Sequence, residues 1–403
     1  MTLAYIYHQV ERPLPPILAQ MTHRGVLLDR SYLQSLVQSW DEAICALKDG
    51  VLSGINPNSN PQVEKELLVR GFQLRKRTKG GTHYSVDHGV LTSLLSQRMD
   101  DPFLRGLLHH NELMTLLTTF GQPLLEWSAQ DGRVHCRWWQ VGTATGRLSS
   151  SDPCLQNIPT RTEEGHKLRQ CFIPSPGMMW VKGDYSQIEM RIVAVLAQET
   201  GLLQAYKEDP EMDAHSEVAR LMGLSPEQRY QGKTLNFALL YGEGDRALAQ
   251  QLGMSLQGAQ ELRQRYWDRL PHIESWLQLT RLVAQAYGYV ETLFGRRRTV
   301  DIHPRMESWL REKLLREACN MPVQGTAADI LKLFLGRVGQ EIHQEKGGKF
   351  GEHLLLTVHD ELDWEVPQER AQDLVAWAKG VGEHIVDIGV PLIVDIKVGR
   401  GWT

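Results

Sequence analysis

Apolar residues recur at helical spacing over residues 31–47, where Leu33, Leu36, Val37, Trp40, Ile44 and Leu47 share one face. Residues 14–29 read as a short helix, Gly25 and a β-like VLLD. Helices are predicted near 61–70, 87–97 and 103–127, separated by the turn-rich INPNSNPQ at 55–62 and the basic, glycine-ended loop RKRTKGG at 75–81. At 133–141 the period changes: VHCRWWQV alternates and is rich in aromatic and β-branched residues, which predicts a strand. A long polar stretch without period, residues 142–161, follows; loops of that length inside compact proteins usually carry function. Next come a strand at 178–184, a helix at 187–199 and mostly helix to about Gly288. The hairpin-like YVETLFGRRRTV then leads to a long helix from about Ser308 to Gly336, expected to be interrupted near Pro322. The last seventy residues read strand (HLLLTV), turn, strand (ELDWEV), helix, strand (PLIVDIKVG). The order predicts an α+β protein: an antiparallel sheet built from distant pieces, with helical insertions before residue 112 and between about 192 and 300.

Composition narrows this only a little. A chain of 403 residues with 42% hydrophobic and 23% charged residues has the make-up of a globular protein of two to three domains. No apolar run reaches membrane-span length, so no membrane partner and a cytoplasmic setting (of the host cell, if phage-encoded) are expected. The net charge of −4 means that any polyanion site must rest on local positive charge. The five cysteines, Cys45, Cys136, Cys154, Cys171 and Cys319, are scattered without a CxxC pair, which argues against a disulfide framework or a structural zinc site.

Three segments carry chemistry. In GDYSQIEMR (183–191) Asp184 ends a strand, and in VHDE (358–361) Asp360 and Glu361 are expected at a hairpin tip. Aspartates are common in turns, so either alone says little. As a pair at adjacent strand ends they suit two Mg²⁺ ions, which take a few carboxylates and leave other positions to phosphate and water. In RYQGKTLNFALLYG (229–242) Arg229, Lys233, Phe237 and Tyr241 are spaced by four on one helical stripe. The cations near its N-terminal end suit a triphosphate and the aromatics a sugar and base; by itself the stripe reads more readily as an amphipathic packing helix than as a binding face. Within 142–161, Arg147, Gln156, Asn157 and Arg161 suit phosphate and base edges, against the simpler reading of a solvated loop. Two cation-rich runs, 75–79 and 296–316 (Arg296, Arg297, Arg298, Arg305, Arg311, Lys313 and Arg316 against Asp301, Glu307 and Glu312), are candidate phosphate tracks or merely solvated faces. Asn320 and Gln324 lie one turn apart in NMPVQGTAAD, placed to bond a base pair from the minor-groove side.

Together these segments resemble family A DNA polymerases, the DNA polymerase I type: DYSQIEMR its motif A, RYQGKTLNFALLYG its motif B, VHDE its motif C, with TATGRLSSSDPCLQNIP and NMPVQGTAADI two further family segments. The resemblance runs from about Glu11 to the C-terminus. It implies a right hand: an N-terminal palm segment 1–30, thumb 31–111, palm 112–190, fingers 191–300 and palm 301–403. It implies Asp184, Asp360, Glu361 and Lys233 as catalytic residues, with Asp184, Asp360 and the Tyr185 carbonyl holding two Mg²⁺, for which Mn²⁺ can substitute. Arg229, Lys233, Phe237, Tyr241, His215, Gln187 and Glu189 would bind the deoxynucleotide, Glu189 by blocking a ribose 2′-hydroxyl. Arg147, Gln156, Asn157, Arg161, Arg316, Asn320, Gln324 and His359 would hold primer–template DNA. The expected protein is a monomer extending a primer in replication or repair, with a separate exonuclease, helicase or clamp as candidate partners.

Departures from the family pattern are Cys154 in place of a polar residue, Ala238 in place of a glycine, and a short stretch between His215 and Arg229. Phe237 in place of tyrosine implies discrimination against dideoxynucleotides. Few residues precede the expected thumb, and the one DxE string near a strand, Asp363-Trp364-Glu365, falls inside the motif C hairpin, so no proofreading is expected. The competing readings are a single-subunit RNA polymerase, which Glu189 argues against, and a catalytically dead DNA-binding paralogue, which retention of both aspartates argues against.

Overall fold

The computed structural model describes residues 2–78, 80–341 and 350–402. Among these the strands are β1 (Val26–Leu27), β2 (Arg133–Val134), β3 (Arg137–Trp139), β4 (Ser149–Ser151), β5 (Met178–Tyr185), β6 (Tyr289–Glu291), β7 (Arg297–Thr299), β8 (Leu354–Val358), β9 (Glu361–Pro367) and β10 (Val394–Gly399). The chain forms two compact units, residues 1–24, 136–156 and 174–400 in the first and 25–135, 157–173 and 401–403 in the second.

The first unit is organised around a four-stranded antiparallel sheet ordered β10-β5-β9-β8. Its strands are drawn from three distant parts of the chain. Val181, Leu362, Trp364, Val366 and Val394 from these strands share one core with the Leu14–Arg24 helix and with Phe334 and Leu335 of the Ser308–Gln340 helix. That helix runs 33 residues without the break expected at Pro322. Proline lacks one donor, but the Pro322 carbonyl still accepts from Thr326 Oγ1 at 2.6 Å, and burial on all sides holds the backbone in register. The expected single strand at 133–141 is two: β2 pairs with β1 in the second unit and β3 with β4 in the first.

The second unit is mainly helical. Asp29 caps the Arg30–Asp49 helix by accepting from Tyr32 N at 2.9 Å, as Asp87 and Asp101 cap the helices His88–Gln97 and Pro102–Leu116. The predicted 103–127 helix is α-helical at both ends with a π-helical turn at Leu117–Gly121. Leu52, Val63, Leu67, Phe72, Leu91, Phe103 and Leu107 form a separate core here. Among the described residues no helix is long and apolar enough to cross a membrane.

Candidate functional site

Asp184 is the penultimate residue of β5, opposite Glu361 on β9 and Asp395 on β10. The turn between β8 and β9 is His359–Asp360, with His359 in the left-handed region at φ 54°. Tyr185 N donates to the Asp360 carbonyl at 3.2 Å, which fixes the turn beside the end of β5. Glu361 is therefore the first residue of β9, not part of the tip, and its carboxylate is ion-paired with Lys182. Burial, and then the neighbouring Glu361 carboxylate, push the Asp184 carboxyl up to about 7. Burial also raises Asp360, against the pull of Arg147. Among the described residues Asp360 Oδ1 and Glu361 Oε1 are buried without a hydrogen-bond partner; Arg147 Nη2 stands 3.6 Å from the former. Acids crowded out of water with unused oxygens are a donor set short of positive charge, so these residues fit a divalent cation. Among the described residues no group of three or more His, Cys, Asp or Glu is placed to hold a metal ion by itself. Two carboxylates would leave the remaining oxygen positions to phosphate and water.

Arg147 leaves a tight turn in which Thr143 Oγ1 donates to the Arg147 carbonyl at 2.8 Å and Gly146 has φ 82°. Its guanidinium donates to Glu189 Oε1 at 3.0 Å. Tyr241 donates its hydroxyl to the other Glu189 oxygen and is also bonded by the Gln324 side chain. Arg147, Glu189, Tyr241, Gln324 and Asp360 thus form one connected group. Burial holds the Glu189 carboxyl above its usual range, although Tyr241 and Arg147 pull it down.

The Arg229–Leu240 helix carries the predicted stripe, with Tyr241 as its C-cap. Phe237 and Tyr241 stack at 5.8 Å, the His215 ring lies 5.5 Å from Phe237, and Lys233 Nζ is 6.0 Å from the Phe237 ring. His215 comes from the Ala214–Leu221 helix, which crosses so closely that a β-carbon on Gly232 would stand 2.3 Å from the His215 carbonyl oxygen. Asp213 caps that helix through His215 N and Ser216 N and is ion-paired with Arg229. Arg229 and Lys233 are otherwise exposed, so the cations sit at the open end of the stripe and the aromatics at the half-buried end.

Residues 30–403 match the family model described as DNA polymerase family A. The chain belongs to that family. It is 40% identical over 414 residues to the thermostable DNA polymerase I of Thermus thermophilus, covering 99% of this chain and 48% of that protein. It is 34% identical over 428 residues to DNA polymerase I of Synechocystis, covering 99% of this chain and 42% of the relative. The chain therefore spans about half the length of the curated relatives it matches. A solved structure described as the POL domain of Pol1 from M. smegmatis, in complex with DNA primer-template and dNTP, superposes with a TM-score of 0.88 at 34% identity, covering 99% of this chain and 71% of that one. The fold is thus the α+β polymerase fold of the family.

The other expected contacts of this family A member fall into groups. Arg316 lies against Gly242, whose added β-carbon would meet the Arg316 side chain at 2.9 Å. Asn320 Oδ1 and Gln187 Oε1 are buried and, among the described residues, without hydrogen-bond partners. Gln156 spends its amide inside the fold: Nε2 donates to the Thr357 carbonyl at 3.1 Å, and Oε1 accepts from Ser150 at 3.4 Å. Asn157 and Arg161 are exposed and belong to the second unit. In the basic run 296–316, a candidate phosphate track or solvated face, the first three of the seven cations meet acids that folding brings in. Arg296 is buried in ion pairs with Glu11 and Asp329, Arg297 pairs with Glu291, and Arg298 pairs with Glu317. A count of charges missed acids brought in by folding. In the other run, Lys76 pairs with Asp87 at 2.5 Å and Arg77 covers the Tyr84 ring; Lys79 lies outside the described residues.

Sequence reasoning missed several supporting residues. Lys182 stands two residues before Asp184 on the same strand, a spacing that could have flagged it. Asp395 is visible as the acid in the alternating VDIK. Arg191 donates to the carbonyls of Ser186, Pro210 and Pro391 and so fastens the turn after Asp184; nothing in the sequence pairs it with those positions.

Proposed function

We propose that this chain is a template-directed DNA polymerase that adds deoxynucleotides to a primer 3′ end by two-metal-ion nucleotidyl transfer. The observation that carries the reading is the meeting of Asp184 and Asp360, drawn from segments 176 positions apart, at one end of the sheet, where among the described residues Asp360 Oδ1 and the neighbouring Glu361 Oε1 are buried without a hydrogen bond. Family membership supports it, as do the primer-template DNA and dNTP held in the M. smegmatis complex. Asp184, Asp360 and the Tyr185 carbonyl would hold two Mg²⁺ ions, or Mn²⁺ in their place. When bound, such ions activate the primer hydroxyl and neutralise charge on the transferring phosphate.

The residues of the chain then have distinct tasks. Arg229 and Lys233 bind and orient the triphosphate, and His215 donates a hydrogen bond to it. Phe237 and Tyr241 shape the sugar and base pocket. Glu189, held between Arg147 and Tyr241, fills the space of a 2′-hydroxyl, which favours a deoxyribonucleotide over a ribonucleotide. Arg147, Arg316, Asn320, Gln324 and His359, with Gln156, Asn157 and Arg161, are assigned to primer–template DNA. The thumb is assigned to 31–111, the fingers to 191–300, and the palm to 1–30, 112–190 and 301–403. The second unit, which extends to residue 135 and takes in 157–173, is larger than that thumb. Extension without editing by this chain is also proposed. Both acids of Asp363-Trp364-Glu365 are engaged internally, Asp363 by Trp180 at 2.6 Å and Glu365 by Arg24 and Ser175.

The test is primer extension on a DNA template with Mg²⁺ and deoxynucleotides, for the chain and for Asp184→Ala and Asp360→Ala. Template-ordered extension abolished by both substitutions is expected. Binding of primer–template without extension would instead favour a catalytically dead DNA-binding protein. Extension surviving either substitution would show that the metal site lies elsewhere. Incubation with primer–template but no nucleotides reads editing: shortening of the primer would overturn that part.

A further inference from the structure

We propose that Tyr266 and Asn236 are positioning residues that lock His215 as the neutral Nε2–H tautomer, so that it donates to the triphosphate without carrying charge. The functional part rests on the nucleotide-binding reading above; the tautomer itself does not.

Tyr266, on the Leu256–Arg269 helix, is fully buried, and among the described residues the one hydrogen bond of its hydroxyl is to Asn236, at 3.0 Å. A buried hydroxyl proton without an acceptor is costly, so Tyr266 donates, and the Asn236 atom facing it is the carbonyl Oδ1. The amide orientation follows: Nδ2 faces His215 Nδ1 at 3.0 Å. Because Nδ2 can only donate, Nδ1 must be the unprotonated, accepting nitrogen. The imidazole proton is left on Nε2.

The surroundings favour the neutral ring. His215 is buried in the first turn of the Ala214–Leu221 helix, where the backbone dipole disfavours a cation. Arg229 and Lys233 face it from the neighbouring helix and oppose protonation, while Asp213 favours it; Glu199 is the charge felt by Tyr266. Burial prevails, and the imidazolium forms only near pH 4. Two permanent cations, Arg229 and Lys233, already supply charge for a triphosphate. A third group that donates with fixed geometry adds directionality without a pH-dependent charge.

The experiment is ¹⁵N NMR of histidine-labelled chain, read for His215 by comparison with His215→Gln, alongside KM for deoxynucleotide and Kd for primer–template. In the wild type at pH 7, Nδ1 is expected in the unprotonated range and Nε2 in the protonated range. Tyr266→Phe frees the amide to turn over, so its His215 resonances should move toward a tautomer mixture, and KM for deoxynucleotide should rise about tenfold with Kd for primer–template unchanged. Asn236→Asp, whose carboxylate accepts a hydrogen bond from a protonated Nδ1, should bring a titration of KM into the range of about pH 6 to 8 that the wild type lacks. An Nδ1–H signature in the wild type overturns the proposal whether or not the chain polymerises. A correct signature with an unchanged KM in His215→Gln overturns the triphosphate role of His215 alone. A tautomer unmoved in Tyr266→Phe overturns the assignment of Tyr266 as the lock.

Discussion

Replacing Asp329 by asparagine should cost about 3 kcal/mol of folding free energy. Asp329 is fully buried and accepts from Arg296 Nε at 2.7 Å and Thr292 Oγ1 at 2.8 Å. Arg296 also pairs with Glu11, and Lys332, 1% exposed, reaches Glu11 Oε1 at 2.7 Å and the Gln140 carbonyl at 2.9 Å. Two acids therefore balance two bases out of water. Asparagine keeps an acceptor for Thr292 but leaves two cations facing Glu11 alone. Removing one partner of a buried pair typically costs about 3–5 kcal/mol, and the retained acceptor places this case at the lower end. Asp329→Asn combined with Lys332→Met restores one acid to one base, so it should recover more than half of the loss. Urea unfolding followed by tryptophan fluorescence, read as a double-mutant cycle, measures both. The cluster also underlies the 143–147 turn that carries Arg147, since a β-carbon on Gly146 would stand 2.7 Å from Arg296 Cδ. Primer-extension rate should therefore fall in the single variant and return in the double. A single-variant loss below about 1 kcal/mol, or strictly additive losses, would refute the charge-balance reasoning.

Gly325→Ala should destabilise the chain by about 1–3 kcal/mol in the same assay. Its β-carbon would stand 2.6 Å from Thr292 Cγ2 and 3.0 Å from the Thr145 carbonyl; equal stability would mean that the 143–147 turn does not press on this helix. Acidification from pH 6.5 to pH 4 should cost the wild type about 2–3 kcal/mol through His215 alone. The folded ring has its pKa lowered to about 4 from 6.5, so in that window the unfolded chain holds a proton that the folded chain does not. The stabilisation is full above pH 6.5 and lost as pH falls, and a His215→Gln acid-unfolding curve should lack that share. With Ellman's reagent at pH 8, exposed Cys45 should react first. Cys136 and Cys171, pushed up to about 12 by burial, and Cys319, pushed up to about 11, should react only on unfolding. Rapid loss of five thiols from the native chain would contradict the buried positions.

The chain's local patterns determined much of this protein without help. Periodicity located the helices at 31–47 and 229–240 and the strands around 178–184 and 354–366, because one buried face per element imposes a period of 3.6 or 2 on the residues themselves. Turn chemistry put Asp184 and Asp360 at strand ends for the same local reason. The pairing of those strands was beyond it, because hydrogen bonds between β5, β9 and β10 join residues about two hundred positions apart, and only the folded backbone brings them into register. The same holds for charge. Arg296 looked like a surface cation until Glu11 and Asp329 were folded against it, and Glu361 looked like part of a tip until β9 began at it. Pro322 predicted a break that surrounding packing prevents. Sequence determined which residues could form the elements and carry the chemistry, because those tendencies are local. Tertiary structure decided which charges remain free, which tautomer a histidine holds and which acids meet at one end of the sheet, because electrostatics and desolvation depend on neighbours that the chain order does not reveal.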